Sequence, residues 1–359
     1  MRLISLDIRN VRNLEHVVLD PATGCNILYG ANASGKTSIL EAIYILGRGA
    51  SFRAGNLRDV ARRGIDQFSV FGKVETGETV SSLGVEYRKG QLAYRVAGNS
   101  ANNRAELAEH LPLLALSPDS HRLLSEGPVF RRRYLDWGVF HVEHGFLLAW
   151  RRYQRALRQR NTALRSSKMQ NVVTAWDQEL CEMAAIIDGL RRDYLQHLKP
   201  YLGEFLRGLV SLENVTFSYF SGWREEAAYS DVLSRSLGQD IACGYTRYGP
   251  HHADVIIKVD SVAARAIVSR GQQKLLITAM FLAQAALLKE VTGKKCVILI
   301  DDLTAELDAQ HRRRLLELLV AIRGQIFVTG TEANAFFLTE LSETKVFHVE
   351  HGTVIGQVS

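Results

Sequence analysis

Three segments far apart in the chain carry residue types that handle phosphate. Residues 30–37 (GANASGKT) fit the pattern G-x-x-x-x-G-K-[ST]. Gly30 and Gly35 let the backbone curl so that successive amides across Ala31, Asn32, Ala33 and Ser34 face phosphate oxygens. Lys36 would bridge the terminal phosphates and the Thr37 hydroxyl would ligate magnesium. Ser38 continues the helix whose positive end adds to the attraction for an anion. The second segment, residues 297–300 (VILI), is an aliphatic run suited to a strand buried on both faces, and it ends in Asp301 and Asp302. Acids at such a strand end lie where parallel α/β sheets place ligands, so Asp301 is assigned to magnesium through water and Asp302 to polarising the attacking water. The third, residues 269–274 (SRGQQK), opens an apolar helix with Ser269 as its cap. A bare S-x-G-Q is often only a cap; its place shortly before the acidic strand gives it weight.

These residues need a scaffold, and the composition bounds it. At 359 residues the chain is too long for one small core, so two compact units are expected, one inserted into the other. Apolar residues make up 47% and charged residues 23%, ordinary for a globular protein. A formal net charge of +6 permits a polyanionic partner without requiring one. The first ten residues alternate like a strand and lack the apolar stretch of a secretory signal. The longest apolar run, residues 275–288, is shorter than the roughly 20 residues a bilayer requires, so it reads as a buried helix. Four scattered cysteines fit reduced thiols better than disulfides or a zinc cage, and the chain reads as cytoplasmic.

The expected architecture is α/β. Residues 26–29 form a strand before the glycine loop, with a helix over about 37–46 after it, and residues 70–75 and 84–96 read as sheet strands. From about residue 121 to 200, apolar residues three and four apart indicate several helices. Strands return at 215–220 and 254–259. The expected division is therefore an N-terminal ATPase part over 1–120, an inserted helical lobe over 121–208, and a C-terminal ATPase part over 209–359.

The order of phosphate loop, S-x-G-Q, acidic strand and then Glu306-Leu307-Asp308 resembles that of the ABC-type ATPases. Within that class the chain is similar to the RecF family of bacterial recombination mediators, relatives of the SMC ATPases. The resemblance rests on residues 8–14 (IRNVRNL), 40–44 (LEAIY), 131–137 (RRRYLDW), 249–254 (GPHHAD), 269–275 (SRGQQKL) and 300–302 (IDD), with 306–308 (ELD). It implies an ABC-type P-loop head with an inserted, mainly helical lobe, ATP and Mg2+ as cofactors, and Arg12 and Asn13 near the nucleotide. It further implies that Ser269, Gly271 and Gln272 act in trans on a partner's nucleotide, which puts Ser269 beside Lys36 and Asp302 in the catalytic set, with Asp308 in the turn that crosses the interface. The implied activity is an ATP-gated homodimer that binds DNA, hydrolyses ATP slowly, and works with RecR and RecO to load the RecA recombinase. Three positions depart from ABC enzymes: Asp302 replaces a glutamate, residues 117–119 (SPD) occupy the place of the glutamine loop, and Thr329 stands where transporters carry a switch histidine.

In the inserted lobe, Arg151, Arg155, Arg158 and Arg165 fall on one helical stripe beside an apolar stripe of Trp150, Tyr153, Leu157 and Leu164. Arg131, Arg132, Arg133, Arg160, Lys168, Arg191 and Arg192 add positive charge. From pattern alone this is equally a solvated basic face; the resemblance favours DNA held through its backbone, with Arg131, Arg132, Arg151, Arg155, Arg158 and Arg165 as contacts. His251, His252 and Asp254 read as a turn entering a strand rather than a metal site, and Trp137, Trp150 and Trp176 as packing residues. Two other function classes share parts of the pattern. A transporter motor subunit would need a membrane partner and usually carries the glutamine loop and histidine switch missing here, and a small-molecule kinase would not need S-x-G-Q.

Overall fold

The computed structural model describes residues 1–166, 170–224, 227–303, 308–332 and 343–358; Lys168, Glu306 and Leu307 lie outside them. The chain divides into two compact units, Met1–Ser120 with Lys274–Ser359, and His121–Gln273.

In the first unit, alternating strands build an antiparallel sheet in the order Leu14–Leu19, Arg2–Val11, Gln67–Thr76, Thr79–Arg88, Gln91–Val96 and Asn99–Ala101. Leu6, Ile8, Val70, Val74 and Leu83 line its buried face at the even spacing a strand requires, and a bulge between Leu3 and Ser5 brings Leu3 to the same face. The single strand expected over 84–96 is two. Lys89 and Gly90 both have positive φ, 47° and 83°, and make a two-residue hairpin that pairs Arg88 with Gln91.

The second sheet of this unit runs Thr353–Val358, Thr344–Glu350, Cys25–Tyr29, Gln325–Gly330, Val297–Ile300 and Leu113–Leu116. All but Thr353–Val358 are parallel. Their carboxyl ends therefore share one edge, where Gly30, Asp301 and Thr329 emerge together. Helix Lys36–Arg48 packs against both sheets: Ile39, Ile43 and Leu46 share one core with Leu6 and Val70 of one sheet and Leu28 and Phe327 of the other. It stops at Gly49, which is left-handed and donates its N–H to Ile45 O. Ile43→Ala would cost about 2–5 kcal/mol and loosen the loop at the helix start.

The second unit is mainly helical, with Pro128–Val142, Phe146–Ser166, Asp177–Leu209 and Tyr229–Cys243 as its longer helices. Strands Val215–Phe220 and Asp254–Val259 form where expected, but they belong to this unit and not to a returning ATPase part that begins at 209. The reason is pairing. They join each other antiparallel, from Val215 with Val259 to Phe220 with Asp254, and pack on helices Asp177–Leu209 and Pro128–Val142. The chain re-enters the first unit at Lys274, within helix Arg270–Thr292. That helix is long and apolar enough to cross a membrane by length and composition, yet 67% of its most apolar window is buried in the protein. Its interior position agrees with the buried helix expected over 275–288.

Candidate nucleotide site

The loop between Cys25–Tyr29 and Lys36–Arg48 is shaped by its glycines. Gly30 has φ 150°, and a Cβ there would lie 2.1 Å from Val349 O; Gly35 has φ 120°, with a Cβ 2.9 Å from Leu14. Neither position accepts a side chain without moving backbone or core. Asn13 ties the loop down from outside: its Nδ2 donates to Ala33 O at 3.3 Å, and its Oδ1 accepts from Ser38 Oγ at 2.9 Å. Gly352 N donates to Ser34 O at 2.8 Å. Ala31, Asn32 and Ala33 are exposed, Ser34, Gly35, Lys36 and Ser38 buried. Lys36 Nζ donates to Gly30 O and Ala31 O, each at 2.7 Å. Burial pulls the Lys36 ammonium below its ordinary pKa, opposed by the charges of Asp302 and Asp301.

The acids meet this loop directly. Thr37 Oγ1 donates to Asp301 Oδ1 at 2.9 Å, and Thr329 Oγ1 donates to the same oxygen at 2.8 Å. Desolvation raises the Asp301 pKa, while the hydroxyls of Thr329 and Thr37 oppose the rise. Asp302 follows with φ 53°, and its N–H donates to Thr329 Oγ1 at 2.7 Å. A hydroxyl beside a carboxylate at a phosphate loop is the donor set magnesium accepts when phosphate oxygens complete its shell. Thr37 and Asp301 would hold the ion.

Arg12 is tied to the loop helix through a buried partner. It forms a bidentate pair with Glu41 on the loop helix at 2.8 and 2.9 Å, and donates to Asp59 O at 2.6 Å. Arg53, which sequence reasoning passed over, lies 3.8 Å from Glu41, and its charge acts on Asp301. A basic residue a few positions beyond the loop helix was the available signal, indistinguishable from other surface arginines without the fold. Ser269 caps helix Arg270–Thr292 in a reciprocal box: Gln272 N donates to Ser269 Oγ at 3.3 Å and Ser269 N to Gln272 Oε1 at 3.0 Å. Gly271 leaves the space at the first turn open. Ser269, Gly271 and Gln272 belong to the second unit. Asp308 caps helix Ala309–Ile322 by accepting from His311 N at 2.9 Å.

The basic residues of the second unit separate into two groups. Arg151, Arg155, Arg158 and Arg165 are exposed on helix Phe146–Ser166, whose Tyr153, Leu157 and Leu164 are buried. Arg131 and Arg132, expected at DNA, are both engaged within the unit. Arg131 makes a bidentate pair with Asp254 at 2.7 and 3.0 Å, and Arg132 donates to Ala253 O at 2.7 Å. Arg160 and Arg191 are fully buried and paired with acids. His251 is engaged by Tyr153 and Thr246 O, and among the described residues no group of acids, histidines and cysteines could hold a metal. Trp137 is buried; Trp150 stacks on Phe146 and lies under Arg191 at 5.2 Å.

Parallel strand ends that present a glycine-bordered loop, its lysine and adjacent aspartates define the fold of an ABC/SMC-type P-loop ATPase head. The profile of the RecF/RecN/SMC N-terminal domain family matches residues 2–354. The DNA replication and repair protein RecF of Pseudomonas entomophila (strain L48) is 45% identical over 361 residues, covering 99% of this chain and 98% of that protein. RecF of Stutzerimonas stutzeri (strain A1501) is 45% identical over 359 residues, covering 99% and 97%. The chain therefore belongs to the RecF family. A solved structure of the recombination mediator protein RecF-ATPrS in the RecFOR pathway superposes with TM-score 0.88 at 27% identity, covering 100% of this chain and 98% of that one. An Smc head bound to the C-terminal winged-helix domain of ScpA superposes at 0.60 with 15% identity, a likeness of fold, with coverage of 100% and 98%.

Proposed function

We propose that this protein is a cytoplasmic, ATP-dependent DNA-binding protein of recombinational repair and replication-fork maintenance, and that ATP gates its assembly into a homodimer. The observation that carries the reading is the convergence of Lys36, Thr37, Asp301 and Thr329 at one strand edge in a chain of the RecF family. This chain is similar to a solved structure of the recombination mediator protein RecF-ATP, at 27% identity and TM-score 0.87, which supports ATP as the nucleotide.

Lys36 exchanges the Gly30 and Ala31 carbonyls for phosphate oxygens, and the loop amides hold the rest of the triphosphate. Thr37 and Asp301 would hold a magnesium ion, which would spread the charge that develops on the phosphates, and Asp302 orients the attacking water. Ser269, Gly271 and Gln272 of one copy close on the γ-phosphate bound by the other, with Asp308 in the crossing turn. A charge-assisted hydrogen bond contributes roughly 1.5–3 kcal/mol, so one such bond per site favours the ATP dimer over the ADP form by about ten- to a hundredfold. Slow hydrolysis removes the bridging group and releases the dimer. The exposed arginines 151, 155, 158 and 165 hold DNA through its phosphates, with RecR and RecO as partners in delivering the recombinase.

Mass in solution with ATP, ADP and no nucleotide tests the gate. Wild type with ATP is expected to dimerise, and Lys36→Ala and Ser269→Arg are not. DNA affinity should be higher with ATP than with ADP and fall as salt rises. An ATP-loaded monomer that binds DNA as well as the ADP form would refute the reading.

A further inference from the structure

We infer that Thr329 is a positioning residue for hydrolysis, setting both acids of the site through one hydroxyl, and that it acts on the chemical step and not on the hold on ATP. The inference deepens the proposed ATPase reading and rests on it.

The hydroxyl has one proton to give, and it both donates and accepts. It donates to Asp301 Oδ1 at 2.8 Å and accepts from the Asp302 amide at 2.7 Å. The side chain is 1% exposed, so water has no access with which to replace either bond. With Thr37 also donating to Asp301 Oδ1, two hydroxyls occupy one carboxylate oxygen and leave Oδ2, which has no hydrogen-bond partner among the described residues, as the one that would meet a metal-bound water. The Asp302 amide matters for a separate reason. Asp302 sits at φ 53°, a region a residue with a Cβ enters only when its surroundings hold it there. The bond to Thr329 supplies part of that hold, so the direction of the Asp302 carboxylate depends on a hydroxyl of the strand next to the one that leads into the glycine loop.

Register makes the bridge possible. Strand Gln325–Gly330 lies between Cys25–Tyr29 and Val297–Ile300, pairing Thr329 with Leu28 on one side and Val328 with Ile300 on the other. Thr329 therefore reaches sideways to the residues just past Ile300. It makes no hydrogen bond to Lys36 or to the loop backbone among the described residues. Its removal should accordingly disturb the two acids and spare the phosphate cradle.

The test compares wild type with Thr329→Val, which keeps the shape and loses the hydroxyl, and Thr329→Ser, which keeps the hydroxyl. ATP affinity is read by equilibrium titration, and the chemical step by single-turnover hydrolysis with enzyme in excess. For Thr329→Val, hydrolysis should slow about ten- to a hundredfold, the effect of losing one hydrogen bond to a charged group, while ATP affinity stays within about twofold. Thr329→Ser should recover most of the rate. The thermal midpoint of each variant controls for folding; if Thr329→Val does not fold, a Thr329→Ser variant with less than half the wild-type rate overturns the inference by itself. Equal rates in wild type and Thr329→Val overturn it, and so does a loss of ATP affinity that matches the loss of rate. A wild type that binds ATP with no turnover removes the inference while leaving ATP gating standing, whereas a wild type that binds no ATP removes the underlying reading as well.

Discussion

Charge is buried in two places in this protein, and the two are built differently. In the second unit, Arg160 and Asp240 are both fully buried, with Nη1 to Oδ2 at 2.7 Å and a second acid, Asp177, at 2.7 Å from Nε. Arg191, also fully buried, is held bidentately by Asp136 at 2.8 and 3.0 Å and donates to Pro250 O. At the nucleotide site, Lys36 and Asp301 are nearly as buried, at 9% and 7% exposure, but their hydrogen-bond partners are neutral. Lys36 meets two carbonyls and Asp301 two hydroxyls. Carboxylates against guanidiniums neutralise a buried charge and lock helices together; neutral partners orient a charge and leave it for a ligand. An arginine-rich lobe thus divides into cations that hold the fold and cations that face solvent, and the identity of the partner makes the division.

The contrast breaks most sharply at Asp240. Asp240→Ala leaves Arg160 buried without one acid, and urea denaturation should report a loss of about 3–5 kcal/mol, whereas Lys36→Met should leave stability within about 1 kcal/mol of wild type. Next in size is an acid effect in the same lobe. Burial holds the His251 pKa down at about 4, against 6.5 unperturbed. Between those values the unfolded chain binds a proton that the folded one refuses, so stability declines as pH falls through this window, by about 3 kcal/mol in total. Denaturation at a series of pH values should show that slope in wild type and a flatter one in His251→Gln. At the nucleotide site, Lys36→Ala should weaken ATP binding about ten- to a hundredfold in an equilibrium titration, with the thermal midpoint little changed. The smallest stability changes belong to the exposed stripe. Arg155→Ala and Arg158→Ala should each shift stability by less than about 0.5 kcal/mol while lowering the salt dependence of DNA binding by roughly one phosphate contact apiece.

Much of the site could be read in the sequence because its signals are local. The glycines, Lys36 and Thr37 act within one turn of chain, and the aliphatic run before Asp301 has the composition of a strand with no exposed face. Ser269 and Gln272 three positions apart are a capping box by spacing alone. What escaped depends on contacts between distant segments. Nothing near Arg131 in the chain announces Asp254 across 123 residues, and nothing near Arg160 announces Asp240 across 80. The strands 215–220 and 254–259 were legible as strands, yet which unit they join was decided by the edge each found to pair with.

By itself, then, the sequence determined the local form of the phosphate loop, the acidic strand end and the amphipathic stripe of the inserted lobe, because each is set by backbone freedom or periodicity within a few residues. Only the tertiary structure decided which charged groups meet an opposite charge and which meet neutral partners. That choice rests on partners brought within 3 Å by packing, and burial makes it matter, since the same arginine that costs little in water is costly in a dry interior unless an acid meets it.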